Sequence, residues 1–332
     1  MAIGARVEVN VKDSLEIWAE KYRPKRLDDI IDQRHVAERV SAFVKERNVP
    51  HMMYAGPPGS GKTTMALCVA EELFGETRRQ NTLETNASDE RGIDTVRRKI
   101  KDFARIRTIG DVPFKLIILD EADALTSEAQ QALRRTMESF TRTARFILCV
   151  NYSSRVIEPI QSRCAVFRFK PLVKEDTMAF IDRIANGEGL KLDPEAAEAV
   201  IHLAEGDLRK VANLLQAAAA KGKSVTEATI YDVAAQARPD DVRVMLESAL
   251  EGNFREAREK LLDMLYTQGL AADDILREIH RQIYSLDVSE QQKVRLLEKL
   301  GEFEFRVSQG GSEHIQLEAF LAQCLLLAKP QR

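Results

Sequence analysis

The sequence is short of cysteine: Cys68, Cys149, Cys164 and Cys324 are scattered over 332 residues with no C-x-x-C pair. That spacing excludes a cysteine zinc module and a disulfide scaffold, and it points to a reducing compartment. His35, His51, His202, His280 and His314 show no metal-ligand spacing either. No stretch of about 18 apolar residues occurs, so no membrane-spanning helix is expected. The opening MAIGARVEVNVKDS has no positive region followed by a long apolar one, so no export signal is expected and a cytoplasmic setting is. Excess positive charge is missing too: 49 Lys and Arg stand against 52 Asp and Glu, a net charge of −3. Any nucleic-acid surface must therefore be a local patch.

What is present supports ordinary cores. Hydrophobic residues make up 44% and charged residues 30% of a chain long enough for two or three domains. Short apolar strings recur between helical patterns: His51 to Ala55, Thr82 to Thr85, Lys115 to Leu119 and Arg145 to Val150. Strings of this length alternating with helices are the pattern of a parallel sheet covered on both faces. An α/β domain is expected over 18–170, after an extension at 1–17. From Lys174 the helical period takes over, with helices near 174–187, 194–204, 207–219 and 226–235, which reads as a small helical lid over 171–238. Residues 239–332 read as a separate all-α domain.

Gly56-Pro57-Pro58-Gly59-Ser60-Gly61-Lys62-Thr63-Thr64 follows one apolar string and precedes a helical stretch, the context a phosphate-binding loop requires. Its glycines let backbone N–H groups curl around phosphate oxygens, Lys62 bridges the outer phosphates, and the Thr63 hydroxyl is offered to Mg²⁺. Leu116-Ile117-Ile118-Leu119-Asp120-Glu121-Ala122-Asp123 then supplies Asp120 for the metal and Glu121 for the attacking water. The following helix is expected to be capped by Ser127 with Gln130. Asn151, ending a strand, and Arg209, in the first turn of the helix opened by Gly206-Asp207, complete a set around the γ-phosphate. Taken singly, each would be ordinary turn or helix-start chemistry.

At this point the chain resembles the AAA+ ATPases and, within them, the small-subunit family of replication factor C, the sliding-clamp loader. The likeness rests on Glu20-Lys21-Tyr22-Arg23-Pro24, Asn86-Ala87-Ser88-Asp89-Glu90-Arg91-Gly92-Ile93, Leu133-Arg134-Arg135-Thr136-Met137-Glu138, Ile157-Glu158-Pro159-Ile160 and Ser162-Arg163-Cys164. The resemblance implies ATP with Mg²⁺, Tyr22, Arg23 and Pro24 beside the base, and Asn151 and Arg209 as sensors. It also implies Asn86 as a polar switch on Glu121. Arg163 would act in the neighbouring subunit's site. A hetero-pentamer of large and small subunits gathered by a collar at 239–332 is implied as well, together with the clamp PCNA and primer-template DNA as partners. Ile31-Asp32-Gln33 departs from the valine and glycine expected before the glutamine.

Arg91, Arg97, Arg98, Lys99, Lys101, Arg105 and Arg107 outnumber Asp94 and Asp102 in one segment. On a helix Arg97, Arg98, Lys101 and Arg105 fall within about 100° of arc, opposite Val96, Ile100 and Phe103. Such a face is commonly just solvated. The resemblance instead lays Arg91, Arg97, Arg98, Lys101 and Arg105 along a DNA backbone. The alternative reading, a different AAA+ machine such as an initiator or branch-migration motor, calls for a winged-helix end with a β-hairpin, of which 240–332 gives no sign. An inactive assembly subunit is opposed by intact Lys62, Thr63, Asp120, Glu121 and Arg163.

Overall fold

A computed structural model describes residues 16–88 and 96–328, with only the backbone at 96, 97 and 328. These residues form two compact units that part between Val225 and Thr226.

The first unit is built on five parallel strands: β1 (Met52–Ala55), β2 (Thr82–Asn86), β3 (Lys115–Asp120), β4 (Ala144–Val150) and β5 (Ala165–Arg168). Their order across the sheet is β2-β3-β4-β1-β5. The apolar strings run unbroken because the sheet is covered twice. Met52, Tyr54, Leu116, Ile118, Ile147 and Cys149 pack on one side with helices Arg34–Lys45 and Lys62–Phe74. Met53, Ile117, Leu119, Phe146, Leu148 and Val150 pack on the other with helix Ser127–Ser139. Alternate residues along each strand thus go to opposite layers, as the pleat demands.

Helices Lys174–Glu188, Pro194–Ala204 and Leu208–Lys221 follow in the same unit, all three where the helical period placed them. The sequence pattern did not reveal β6 (Lys191–Leu192) and β7 (Ser224–Val225), a two-residue parallel pair too short to show a period. Helix Glu227–Ala234, expected in the lid, groups with the second unit. There Pro239–Leu250, Phe254–Leu262, Ala272–Ile283, Glu290–Ser308 and Glu313–Ala328 bury one continuous core including Leu246, Ile279, Leu300, Phe303 and Phe320. No helix among the described residues is long and apolar enough to cross a membrane.

One expected cap is displaced. Thr126, not Ser127, caps helix Ser127–Ser139, accepting the Ala129 N–H at 3.3 Å. Gln130 is not free to complete a capping box. Its amide donates to Leu125 O and Arg155 O and accepts from Ile157 N, pairing backbone groups that burial would otherwise leave unsatisfied.

Candidate nucleotide-binding site

A pocket opens at the C-terminal ends of the parallel strands, where α/β sheets bind ligands. Tyr22, Arg23, Pro24, Pro58, Gly59, Gly61, Lys62, Thr63, Thr64, Asp120, Glu121, Asn151 and Arg209 all line it. Strand order explains the convergence. The loop after β1 and the Asp120-Glu121 end of β3 flank β4, so Asn151, just past β4, stands between them.

Three contacts define the pocket's floor. Lys62 Nζ donates to Gly56 O at 2.8 Å, Pro57 O at 2.7 Å and Asn151 Oδ1 at 3.1 Å. Its side chain is buried, and desolvation lowers its pKa from the usual lysine value. Thr63 Oγ1 donates to Asp120 Oδ2 at 2.8 Å. A hydroxyl and one carboxylate so close are the hard-oxygen pair that Mg²⁺ takes when phosphate oxygens and water supply the remaining ligands. No cluster of three or more His, Cys, Asp or Glu that could hold a metal ion occurs among the described residues. Glu121 follows in the left-handed region, φ 50°, uncommon for a residue with a Cβ, and it is exposed at the pocket mouth.

The surrounding supports were not assigned from sequence. Asp123 accepts the N–H groups of Asn151 (3.2 Å) and Tyr152 (3.1 Å), tying the end of β4 to the turn after β3. Asp207 caps helix Leu208–Lys221 by accepting from Arg209 N and Lys210 N. It sits so close to the loop that a Cβ on Gly59, itself at φ +70°, would lie 1.9 Å from its Oδ1. That glycine is needed for space as well as for conformation. Tyr22 donates to Glu188 Oε1 at 2.8 Å, beside Lys21 Nζ at 2.8 Å from the same oxygen. Burial, then the Glu188 carboxylate, pushes the Tyr22 phenol up to about 12. Gln33, also left-handed at φ 64°, clasps Lys170 through both its amide oxygen and nitrogen. Ala19, Phe180 and Leu208 complete the lining, with no sequence signal to separate them from core residues.

Other expected residues fall elsewhere. Ser60 donates to Pro57 O within the loop. Asn86 is the register partner of Asp120 across β2 and β3, yet its Oδ1 accepts from Ser88 N and Ser88 Oγ, both at 2.9 Å. Arg163 is not in the chain's own pocket: it bonds Pro159 O and Glu138. Arg91 and the side chain of Arg97 lie outside the described residues. The basic segment is a π-turn, Val96–Ile100, running into helix Lys101–Arg105, so an ideal 3.6-residue projection does not describe it. Arg98, Lys101 and Arg105 are nonetheless exposed, while Ile100 and Ala104 are buried.

Two family models match the chain: the ATPase family associated with various cellular activities over residues 52–172, and the replication factor C C-terminal domain over 237–323. Among curated relatives, the replication factor C small subunit of Staphylothermus marinus is 53% identical over 94% of this chain and 95% of that protein. Those of Thermofilum pendens and Archaeoglobus fulgidus are 53% and 50% identical, covering 95% and 96% of this chain and 98% and 99% of theirs. A solved structure of the Thermotoga maritima RuvB Holliday junction branch migration motor superposes with a TM-score of 0.54 at 21% identity, over 76% of this chain and 87% of that one, a likeness of fold alone. Identity at this level along nearly the whole of both chains is decisive: the chain belongs to the replication factor C small-subunit family, clamp-loader members of the AAA+ ATPases.

Proposed function

We propose that this subunit binds and hydrolyses ATP with Mg²⁺ to open the sliding clamp PCNA and load it onto primer-template DNA. The observation that carries the reading is the meeting of Lys62, the Thr63–Asp120 pair and Asn151 at the ends of adjacent strands, with Arg163 outside that pocket. In this reading Lys62 turns from the loop carbonyls to the outer phosphates, and burial strengthens that attraction. Thr63 and Asp120 hold Mg²⁺, which would neutralise charge on the phosphoryl oxygens. Glu121 orients and deprotonates the attacking water, with Asn86 restraining it. Asn151 and Arg209 sense the γ-phosphate, and Tyr22, Arg23 and Pro24 flank the base.

Arg163 supplies the missing positive charge to a neighbouring subunit's site, so turnover depends on assembly. Large and small subunits form a hetero-pentamer through residues 239–332, with 18–170 as the ATPase domain and the helices that follow from 171 in the same unit as its lid, in a cytoplasmic setting. Arg91, Arg97, Arg98, Lys101 and Arg105 follow the DNA backbone by charge rather than by base reading. A branch-migration motor fits less well, because residues 226–328 are helical without a strand.

The test is ATP turnover by the chain alone, with its large subunit, and then with clamp and primed DNA, for wild type and Arg163→Ala. Turnover should rise at each addition. Arg163→Ala should lose on the order of a thousandfold in the full assembly, while still binding ATP. Full activity in that variant would remove the between-subunit mechanism.

A further inference from the structure

Arg163 is held on two sides by its own subunit. Nη1 donates to Pro159 O at 2.6 Å, and Nη2 donates to Glu138 Oε1. Pro159 lies in the short helix Glu158–Gln161 just before Arg163, whereas Glu138 comes from the last turn of helix Ser127–Ser139. The same Glu138 oxygen stands 3.8 Å from Arg134 Nε, a buried nitrogen with no hydrogen-bond partner among the described residues. Two guanidinium groups therefore share one carboxylate, and one positive charge is left unbalanced.

A half-exposed ion pair of this kind adds little to stability. Its consequence is directional. A guanidinium has five N–H donors in a rigid fork. The two bonds to Glu138 and Pro159 use two of them and restrict the plane of the group, leaving the others for an anion. Without Glu138 the side chain keeps one tether, and its many rotamers must be frozen when the anion is met.

We propose that Glu138 is a positioning residue that sets the direction of Arg163 before it meets the phosphoryl group of a neighbouring subunit. The inference rests on the reading of Arg163 given above. If Glu138 were instead a restraint that keeps Arg163 away from its target, removing it would raise turnover.

The test is a double-mutant cycle on the assembled complex with clamp and primed DNA: wild type, Glu138→Ala, Glu138→Gln, Arg163→Ala and the double variants. Glu138→Ala should lower kcat about tenfold with the KM for ATP unchanged within about twofold. Glu138→Gln, which keeps an accepting oxygen, should fall between. Neither change should cost anything further once Arg163 is alanine. The proposal is overturned by an unchanged or higher kcat, by an effect on KM instead, by an equal loss in the Arg163→Ala background, or by loss of assembly in both Glu138 variants. If Arg163→Ala itself keeps full turnover, the between-subunit reading fails first. If Arg163→Ala is impaired and Glu138→Ala is not, only the role of Glu138 falls.

Discussion

In the first unit, apolar residues fill both faces of every central strand, so polar side chains can gather only where strands end. In the second unit each helix buries one stripe and leaves its other faces to solvent, so polar residues are spread over the surface. Lys62, Asp120 and Asn151 reach one pocket from separate parts of the sequence because three neighbouring strands stop at the same level. The second unit has a core of similar make-up, with Phe303 and Phe320 ring centroids 6.1 Å apart, but among its described residues the helices bring no comparable set of groups together.

The contrast can be broken in three ways. The largest effect is expected at Lys62. Lys62→Ala removes the buried cation and should cut turnover of the assembled complex on the order of a thousandfold, with calorimetric unfolding of the second unit unaltered. Next, Phe320→Ala should destabilise the second unit by about 3–5 kcal/mol while nucleotide binding by the first, followed with a fluorescent ATP analogue, stays within about twofold. Loss of binding in that variant would show that the two units do not act separately.

The smallest effect is a pH dependence confined to the first unit. His51 Nδ1 accepts the Phe146 N–H at 3.2 Å, which a protonated ring cannot do. Burial, reinforced by the Arg145 charge, lowers its pKa from 6.5 to about 4. The unfolded chain therefore takes up the proton first. Stability contributed by His51 is whole above pH 6.5 and is lost as the pH falls toward 4, by on the order of 3 kcal/mol in total. Denaturant titrations between pH 7 and 4 should show this slope, and His51→Gln, which keeps an acceptor, should flatten it. An unaltered slope in His51→Gln would assign the acid sensitivity to other groups.

Much of the site was legible because its chemistry has fixed local grammar. Gly56 to Thr64 must be contiguous for a backbone cradle, and Asp120-Glu121 announces itself by the four apolar residues before it. The supports were not legible. Asp123, Gln33 and Glu188 act on backbone or side-chain groups 28 residues away (Asp123 on Asn151) or far more (Glu188 on Tyr22), and nothing in the spacing names the partner. Local competition also escaped the pattern: Thr126 and Ser127 are both able caps, Thr126 is the one that caps, and Gln130 is engaged instead with the Leu125 and Arg155 carbonyls.

The amino-acid order by itself determined β1 to β4, the phosphate-binding loop, the paired acids and the helical character of the last hundred or so residues, since each depends on neighbours in the chain; β5, β6 and β7 were not announced by it. Only the tertiary structure decided that β4 lies between β1 and β3, which sets Asn151 against Lys62, and that Glu138 reaches Arg163 from another helix. Strand order and cross-element pairing come from packing the two apolar faces of the sheet together, an outcome shared by the whole core and written in no single segment.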